Sequence, residues 1–138
     1  MPQEIVSLAT NGPGLYEFSD RAKAFVWDAE FETGLLTLFV RHTSCSLLIQ
    51  ENADPDVRRD LLDAFERLAP QDVAYHHQEE GLDDMPSHIK AMLTDVSLSI
   101  PVQGGRMALG TWQGVYLIEH RARPHRREIV LQFAGSVD

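Results

Sequence analysis

Across residues 96–102 apolar residues strictly alternate with small or polar ones: Val96, Leu98, Ile100 and Val102 against Ser97, Ser99 and Pro101. A repeat of two sends every second side chain to the same face, so this stretch is a strand with one buried face, not an amphipathic helix. Pro101 has no amide hydrogen to give to a ladder, which places it at a sheet edge or a strand end. The remaining C-terminal third continues in strands. Residues 103–106 (QGGR) read as a hairpin turn with 107–109 as the return strand, and residues 115–119 (VYLIE) and 128–133 (EIVLQF) as a hairpin closed by the basic turn 121–127 (RARPHRR).

The N-terminal half mixes both periods. Residues 4–9 and 15–18 read as short strands around the turn cluster 11–14. Ser19 or Asp20 is placed to cap a helix through Asp28, with Ala22, Phe25, Val26 and Ala29 at helical spacing and Gly34 to end it. The apolar run 35–40 (LLTLFV) predicts a strand covered on both faces. Asp54 and Pro55 are an N-cap and a first helical residue. The helix they open, to about Leu68, has Val57, Leu61, Leu62, Phe65 and Leu68 on one face. Strands, helix, strands, two helices and a final block of strands make an α+β chain dominated by antiparallel sheet. A length of 138 residues suits a single domain over residues 1–138.

Chemistry concentrates in residues 74–93 (AYHHQEEGLDDMPSHIKAML), which hold three of the six histidines. Ile89, Met92 and Leu93 predict a helix over about 85–94, with Pro86 in its first turn and Asp83 and Asp84 at its positive end. There His88 is expected as a neutral imidazole, able to bind a metal or accept a proton. His76 and His77 lie in the loop before it. The spacing matches no standard zinc pattern, and a solvated loop is the alternative. Residues 41–46 (RHTSCS) fit either a solvated bend or a polar pocket floor, and residues 121–127 either a solvated turn or an arginine clamp for phosphate.

A formal charge of −9 argues against a nucleic-acid partner. No run approaches the roughly 20 apolar residues of a membrane span. The single cysteine, Cys45, and the absence of a basic, apolar leader lead to the expectation of a soluble cytoplasmic protein.

Three long segments, HTSCSLLIQENADPDVRRDLL, DDMPSHIKAML and RMALGTWQGVYLIEHR, resemble in order the YjbQ-like family, also called secondary thiamine-phosphate synthases. The resemblance implies a jelly-roll-like antiparallel β-sandwich with flanking helices, assembled as a homotrimer with a metal-binding pocket near a subunit contact. By position it implies a divalent metal on His42, His77 and His88, with zinc expected and magnesium the alternative for a transferase. Glu119 or Asp84 would orient a ligand, and His42, Glu119 and Asp84 form the expected catalytic set. Thr43, Ser44, Arg106, Trp112, Gln113 and Arg121 are the expected contacts to a small phosphorylated substrate, with Tyr116 and Arg123 as further candidates. The implied reaction joins a hydroxymethylpyrimidine pyrophosphate to a thiazole phosphate. A metal-dependent hydrolase or lyase and a non-enzymatic metal- or ligand-binding trimer remain the alternatives. The chain departs from the family pattern at Cys45, His76 and Ser87.

Overall fold

The computed structural model describes residues 1–137; Asp138, the last residue of the expected domain, lies outside them. Eight strands and three helices follow in the order β1 (Gln3–Asn11), β2 (Gly14–Glu17), α1 (Ser19–Asp28), β3 (Thr33–Val40), β4 (Cys45–Glu51), α2 (Pro55–Leu68), α3 (Asp84–Leu93), β5 (Ser97–Gln103), β6 (Arg106–Met107), β7 (Gln113–Glu119) and β8 (Pro124–Ser136). All strand pairs are antiparallel, in a five-stranded sheet of order β1-β8-β3-β5-β6 and a three-stranded sheet of order β2-β7-β4. The architecture is the expected α+β one.

The core lies between the sheets. Val6, Leu36, Leu38, Val40, Ile100, Ile129, Leu131 and Phe133 project from the larger sheet toward Leu47, Val115 and Leu117 of the smaller one. Helix α1 adds Ala22, Phe25 and Val26 to that cluster. The inward row of β7 ends in Glu119 rather than an apolar residue. Its carboxylate meets Arg127 of β8 (Oε1 to Nε, 2.7 Å; Oε2 to Nη2, 2.5 Å), and Thr10 Oγ1 donates to Oε1 from 2.5 Å. The amides of His120 and Arg121 donate to Oε2. Burial raises the Glu119 pKa, but the Arg127 and Thr10 hydrogen bonds outweigh it and hold the carboxyl below its ordinary range. A buried charge this fully partnered is a structural clamp between the sheets.

Several local expectations change in the folded chain. Strands β7 and β8 are not a hairpin: β7 pairs with β2 and β4, whereas β8 pairs with β1 and β3, so residues 120–123 cross from one sheet to the other. Strand β3 is covered on one face only, and Leu35 and Phe39 on the other face are exposed. The return strand after the glycine turn is only the two residues of β6. The α1 cap is Phe18, without a side-chain cap bond, because the Ser19 hydroxyl donates to Glu17 and accepts the Val115 amide. Helix α2 begins as expected, with Asp54 accepting the Asp56 amide from 2.9 Å, yet none of its residues is fully buried.

Gly34 does not end α1. It sits inside β3, where a Cβ would overlap the Ala134 carbonyl and lie 2.7 Å from both Gly135 Cα and the Phe133 ring. Overpacking of this kind costs about 1–3 kcal/mol. Gly34→Ala is therefore expected to lower the unfolding free energy by that much, read as a lower urea midpoint at unchanged slope, without changing the far-ultraviolet spectrum. An unchanged midpoint would show that the two strands part more easily than their packing implies.

Candidate metal centre

Helix α3 opens beside the end of β7, and Arg121 makes most of the hydrogen bonds that tie the two. Arg121 donates from Nε to Asp83 Oδ2 (2.9 Å), from Nη1 to Asp84 Oδ1 (2.7 Å) and from Nη2 to the Glu80 carbonyl (3.0 Å). Asp83 Oδ2 also accepts the Ala122 amide, and Ser87 Oγ lies within hydrogen-bond reach of the Asp83 carbonyl (2.6 Å) and the His120 carbonyl (3.0 Å). With Oδ1 of Asp84 fixed by Arg121, its other oxygen faces outward. His77 Nε2 lies 2.6 Å from that Oδ2, and His88 Nε2 lies 3.1 Å from it.

Burial pushes the Asp84 carboxyl up, but the His77 hydrogen bond, the charges of His88 and Arg121 and the His88 hydrogen bond bring it below the ordinary carboxylate range. Asp83 behaves alike: burial raises it, and the Ala122 amide and Arg121 more than compensate. Both carboxylates are thus held ionised.

The His88 ring is oriented from its other side. Nδ1 lies 2.8 Å from the Thr43 carbonyl, which can only accept, so Nδ1 carries a hydrogen. In the neutral ring the lone pair is then on Nε2 and points at Asp84 Oδ2. Two acceptors face each other across 3.1 Å, and something positive must lie between them: a second ring proton or a cation. One potential donor atom each from His77, Asp84 and His88 lies within 4.8 Å of the other two. Asp84 is buried, while the side chains of His77 and His88 are 44% and 33% exposed. Two imidazoles and a carboxylate, with the His88 ring oriented by the Thr43 carbonyl and one side open to solvent, fit a catalytic rather than a closed zinc-type site.

The expected site residues divide into three groups. His77, His88 and Asp84 come together. Thr43 joins them, but through its backbone carbonyl. Arg121 also joins them, as a support for Asp84: its guanidinium is engaged by Asp83, Asp84 and Glu80 and is not a free phosphate clamp.

His42 stays apart. Its Nε2 accepts the Glu128 amide from 2.9 Å, which occupies the lone pair a metal would need. Burial and Arg127 lower its pKa, against the opposing charge of Glu128. Ser44 also lies apart, buried against Arg127, and Glu119 belongs to the clamp in the core. Cys45 is buried, and its thiol is pushed up to about 12. Arg126 and Arg127 are turned to Ser7 and to Glu119, so residues 121–127 form no arginine cluster.

Arg106 and Gln113 line a different place, a cleft of about 630 Å³ shared with Lys23, Trp27 and Met107. It lies at the opposite end of β7 from Arg121, with the roughly 20 Å length of the strand between them at the usual rise per residue. Trp112 is 64% exposed nearby, and Tyr116 is buried, with Arg58 donating to its hydroxyl. The space beside His77 is smaller, about 230 Å³, and lined by Val73, Tyr75, Gln78, Leu82 and Met85 among others, with no lysine or arginine.

The Thr43 carbonyl and, apart from this centre, His120 were not legible in the sequence, and Asp83 was read there only as an acid at the helix start. The buried His120 ring lies 2.9 Å from Ser46 Oγ, and burial followed by the charge of Lys90 lowers its pKa from 6.5 to about 3. The polar triplet EHR closing an apolar strand was its one signal. The family model described as "UPF0047 protein YjbQ-like" matches residues 4–136. A UPF0047 protein of Synechocystis sp. is 54% identical over 136 residues, covering 98% of this chain and 92% of that protein. The UPF0047 protein YjbQ of Escherichia coli O157:H7 is 40% identical over 135 residues, covering 97% and 98%. A crystal structure of a YjbQ/UPF0047-family protein from Clostridium acetobutylicum superposes with a TM-score of 0.88 at 32% identity, covering 95% of this chain and 99% of that one.

The buried, neutral His120 makes stability depend on pH. Its folded pKa is depressed, so the unfolded chain binds the extra proton first, and stability falls as pH drops from about 6.5 toward about 3. Glu119 adds to the loss at lower pH, as the solution passes below its ordinary value of 4.5 toward its depressed folded one. In metal-free protein the expected slope between pH 6.5 and 4.5 is up to about 1.4 kcal/mol per pH unit for one proton. It should flatten in His120→Gln. Urea titrations at several pH values measure it, and a stability independent of pH in this window would contradict a neutral buried ring.

Proposed function

On the premise that this chain belongs to the UPF0047 YjbQ-like family, we propose that it is a metal-dependent enzyme whose centre is His77, Asp84 and His88, acting on a small phosphorylated or heterocyclic compound. The observation that carries this reading is the convergence of two imidazole Nε2 atoms on one carboxylate oxygen whose partner oxygen is held by Arg121. Zinc is the expected ion for such donors, and magnesium is the alternative for a transfer reaction. A divalent cation bound there supplies Lewis-acid charge for a phosphate oxygen or a leaving group.

The chain's own residues would do the rest. Arg121 fixes Asp84 so that the carboxylate does not rotate away from the imidazoles. The Thr43 carbonyl keeps the His88 hydrogen on Nδ1 and frees Nε2. Tyr75, Leu82 and Met85 border a space beside His77 that suits an uncharged ring better than a phosphate.

For the specific reaction we propose the one the resemblance implies, thiamine-phosphate synthesis. A pyrimidine-methyl carbon breaks its bond to pyrophosphate and forms one to the thiazole nitrogen, with pyrophosphate leaving. Assembly as a homotrimer is part of the same proposal. Its support is the outer face of the five-stranded sheet, where Ile5 of β1 and Leu35 and Phe39 of β3 are exposed on either side of β8.

Elemental analysis of protein purified without chelator is expected to find a divalent metal, largely lost in His77→Ala, His88→Ala and Asp84→Asn. Arg121→Gln should weaken metal affinity by about 10–100-fold, as loss of an outer partner does. Metal content unchanged in all four variants would end this assignment. Incubating the metal-replete protein with the two thiamine precursors is expected to yield thiamine phosphate. Turnover of simple phosphate esters without that product would shift the reaction to hydrolysis.

A further inference from the structure

A second polar site lies on the outer face of the smaller sheet, under α2. Side chains alternate at the end of β7, so Glu119 points into the core and His120 points outward beneath α2 and α3. The His120 ring is 3% exposed and packs edge-on against Phe65 at 5.5 Å.

Its tautomer follows from its neighbours. Thr94 Oγ1 lies 2.9 Å from the Lys90 carbonyl and 2.5 Å from Ser46 Oγ. A carbonyl only accepts, so the single Thr94 hydrogen goes there, and the Ser46 hydrogen must fill the shorter contact. Ser46 then has no hydrogen left for His120 Nε2, 2.9 Å away, so Nε2–H donates to Ser46. Nδ1 is left with a bare lone pair.

That lone pair has no partner among the described residues, and no fully buried side-chain nitrogen or oxygen there lacks one. Nδ1 must therefore reach open space. The space His120 borders is a pocket of about 130 Å³ lined by Pro13, Leu62, Asp63, Phe65, Glu66, Lys90, Glu119 and His120. The pocket's charges are mostly cancelled. Lys90 Nζ is 2.6 Å from Glu66, and Glu119 is held by Arg127. The Asp63 side chain has no ion pair or hydrogen bond among the described residues, which leaves one uncompensated negative charge at the rim. Apolar walls come from Leu62, Phe65 and Pro13.

We propose that this pocket binds a small primary ammonium group, one N–H donated to His120 Nδ1, another to the Asp63 carboxylate, and the carbon part set against Leu62 and Phe65. An anion would meet Asp63 and a bare lone pair. A metal ion needs several converging donor atoms, and Asp63, Glu66 and His120 form no such group, whereas the Lys90 charge is already taken up by Glu66. The site is separate from the His77–Asp84–His88 centre and does not depend on it.

The test uses the full chain with ¹⁵N-labelled histidine, read by two-dimensional NMR, in wild type and in His88→Ala. The free protein should show His120 as the Nε2–H tautomer. Methylammonium should move its Nδ1 signal saturably and equally in both proteins, whereas tetramethylammonium, equally charged but without N–H donors, should not. Asp63→Asn, a substitution at an exposed position, should weaken methylammonium binding at least about tenfold, the equivalent of about 1.4 kcal/mol. Hydrogen on Nδ1 in the free protein, no saturable shift with methylammonium, an equal response to tetramethylammonium, or unchanged binding in Asp63→Asn would each overturn the proposal.

Discussion

The guanidinium of Arg121, held between Asp83, Asp84 and the Glu80 carbonyl, joins the end of β7 to the start of α3. Its side chain is 15% exposed, and those of Asp83 and Asp84 are 18% and 6% exposed, so the three charges are shielded from solvent and act on one another strongly. The arrangement fixes one Asp84 oxygen and aims the other at His77 and His88. Without it the carboxylate could turn, and the two rings would lose the atom that gathers them. Thr43, in the bend between β3 and β4, completes the frame by holding the far side of His88. Parts of the chain from Thr43 to Arg121 thus gather around one carboxylate.

Consecutive residues at the end of β7 serve three environments because a strand alternates. Glu119 enters the core and pairs with Arg127 across the two sheets. His120 faces outward, where α2 and α3 cover it. Arg121, past the last paired residue, is free of the ladder and reaches α3. The clamp, the buried neutral imidazole and the support of Asp84 are therefore built from three consecutive residues, each with its own set of partners.

Much of this was legible before folding. The alternation over residues 96–102 became β5, and Asp54 and Pro55 opened α2; the histidine loop before an acidic helix start left His76 and His77 both open as the partner of His88, and the family resemblance pointed to His77, whose ring does lie beside it. Sheet membership was not legible. Residues 115–119 and 128–133 have equally good strand patterns, and their basic connection carries no signature that separates a hairpin from a crossing. Nor could the sequence reveal that His42 spends its lone pair on the Glu128 amide, or that Thr43 contributes a carbonyl instead of a hydroxyl. Arg121 read as a phosphate ligand because a charge pattern does not disclose which carboxylates lie nearby in space. His120 escaped notice because one histidine after an apolar strand looks like an ordinary strand end.

The central claim is that His77, Asp84 and His88 gather a divalent cation. It is tested most directly by diffraction at the zinc absorption edge, on crystals grown from protein loaded with one equivalent of zinc. The account predicts an anomalous peak bonded to His77 Nε2, His88 Nε2 and Asp84 Oδ2, with Arg121 still on the other Asp84 oxygen. A peak elsewhere, or none with the two rings still hydrogen-bonded to Asp84, would contradict it.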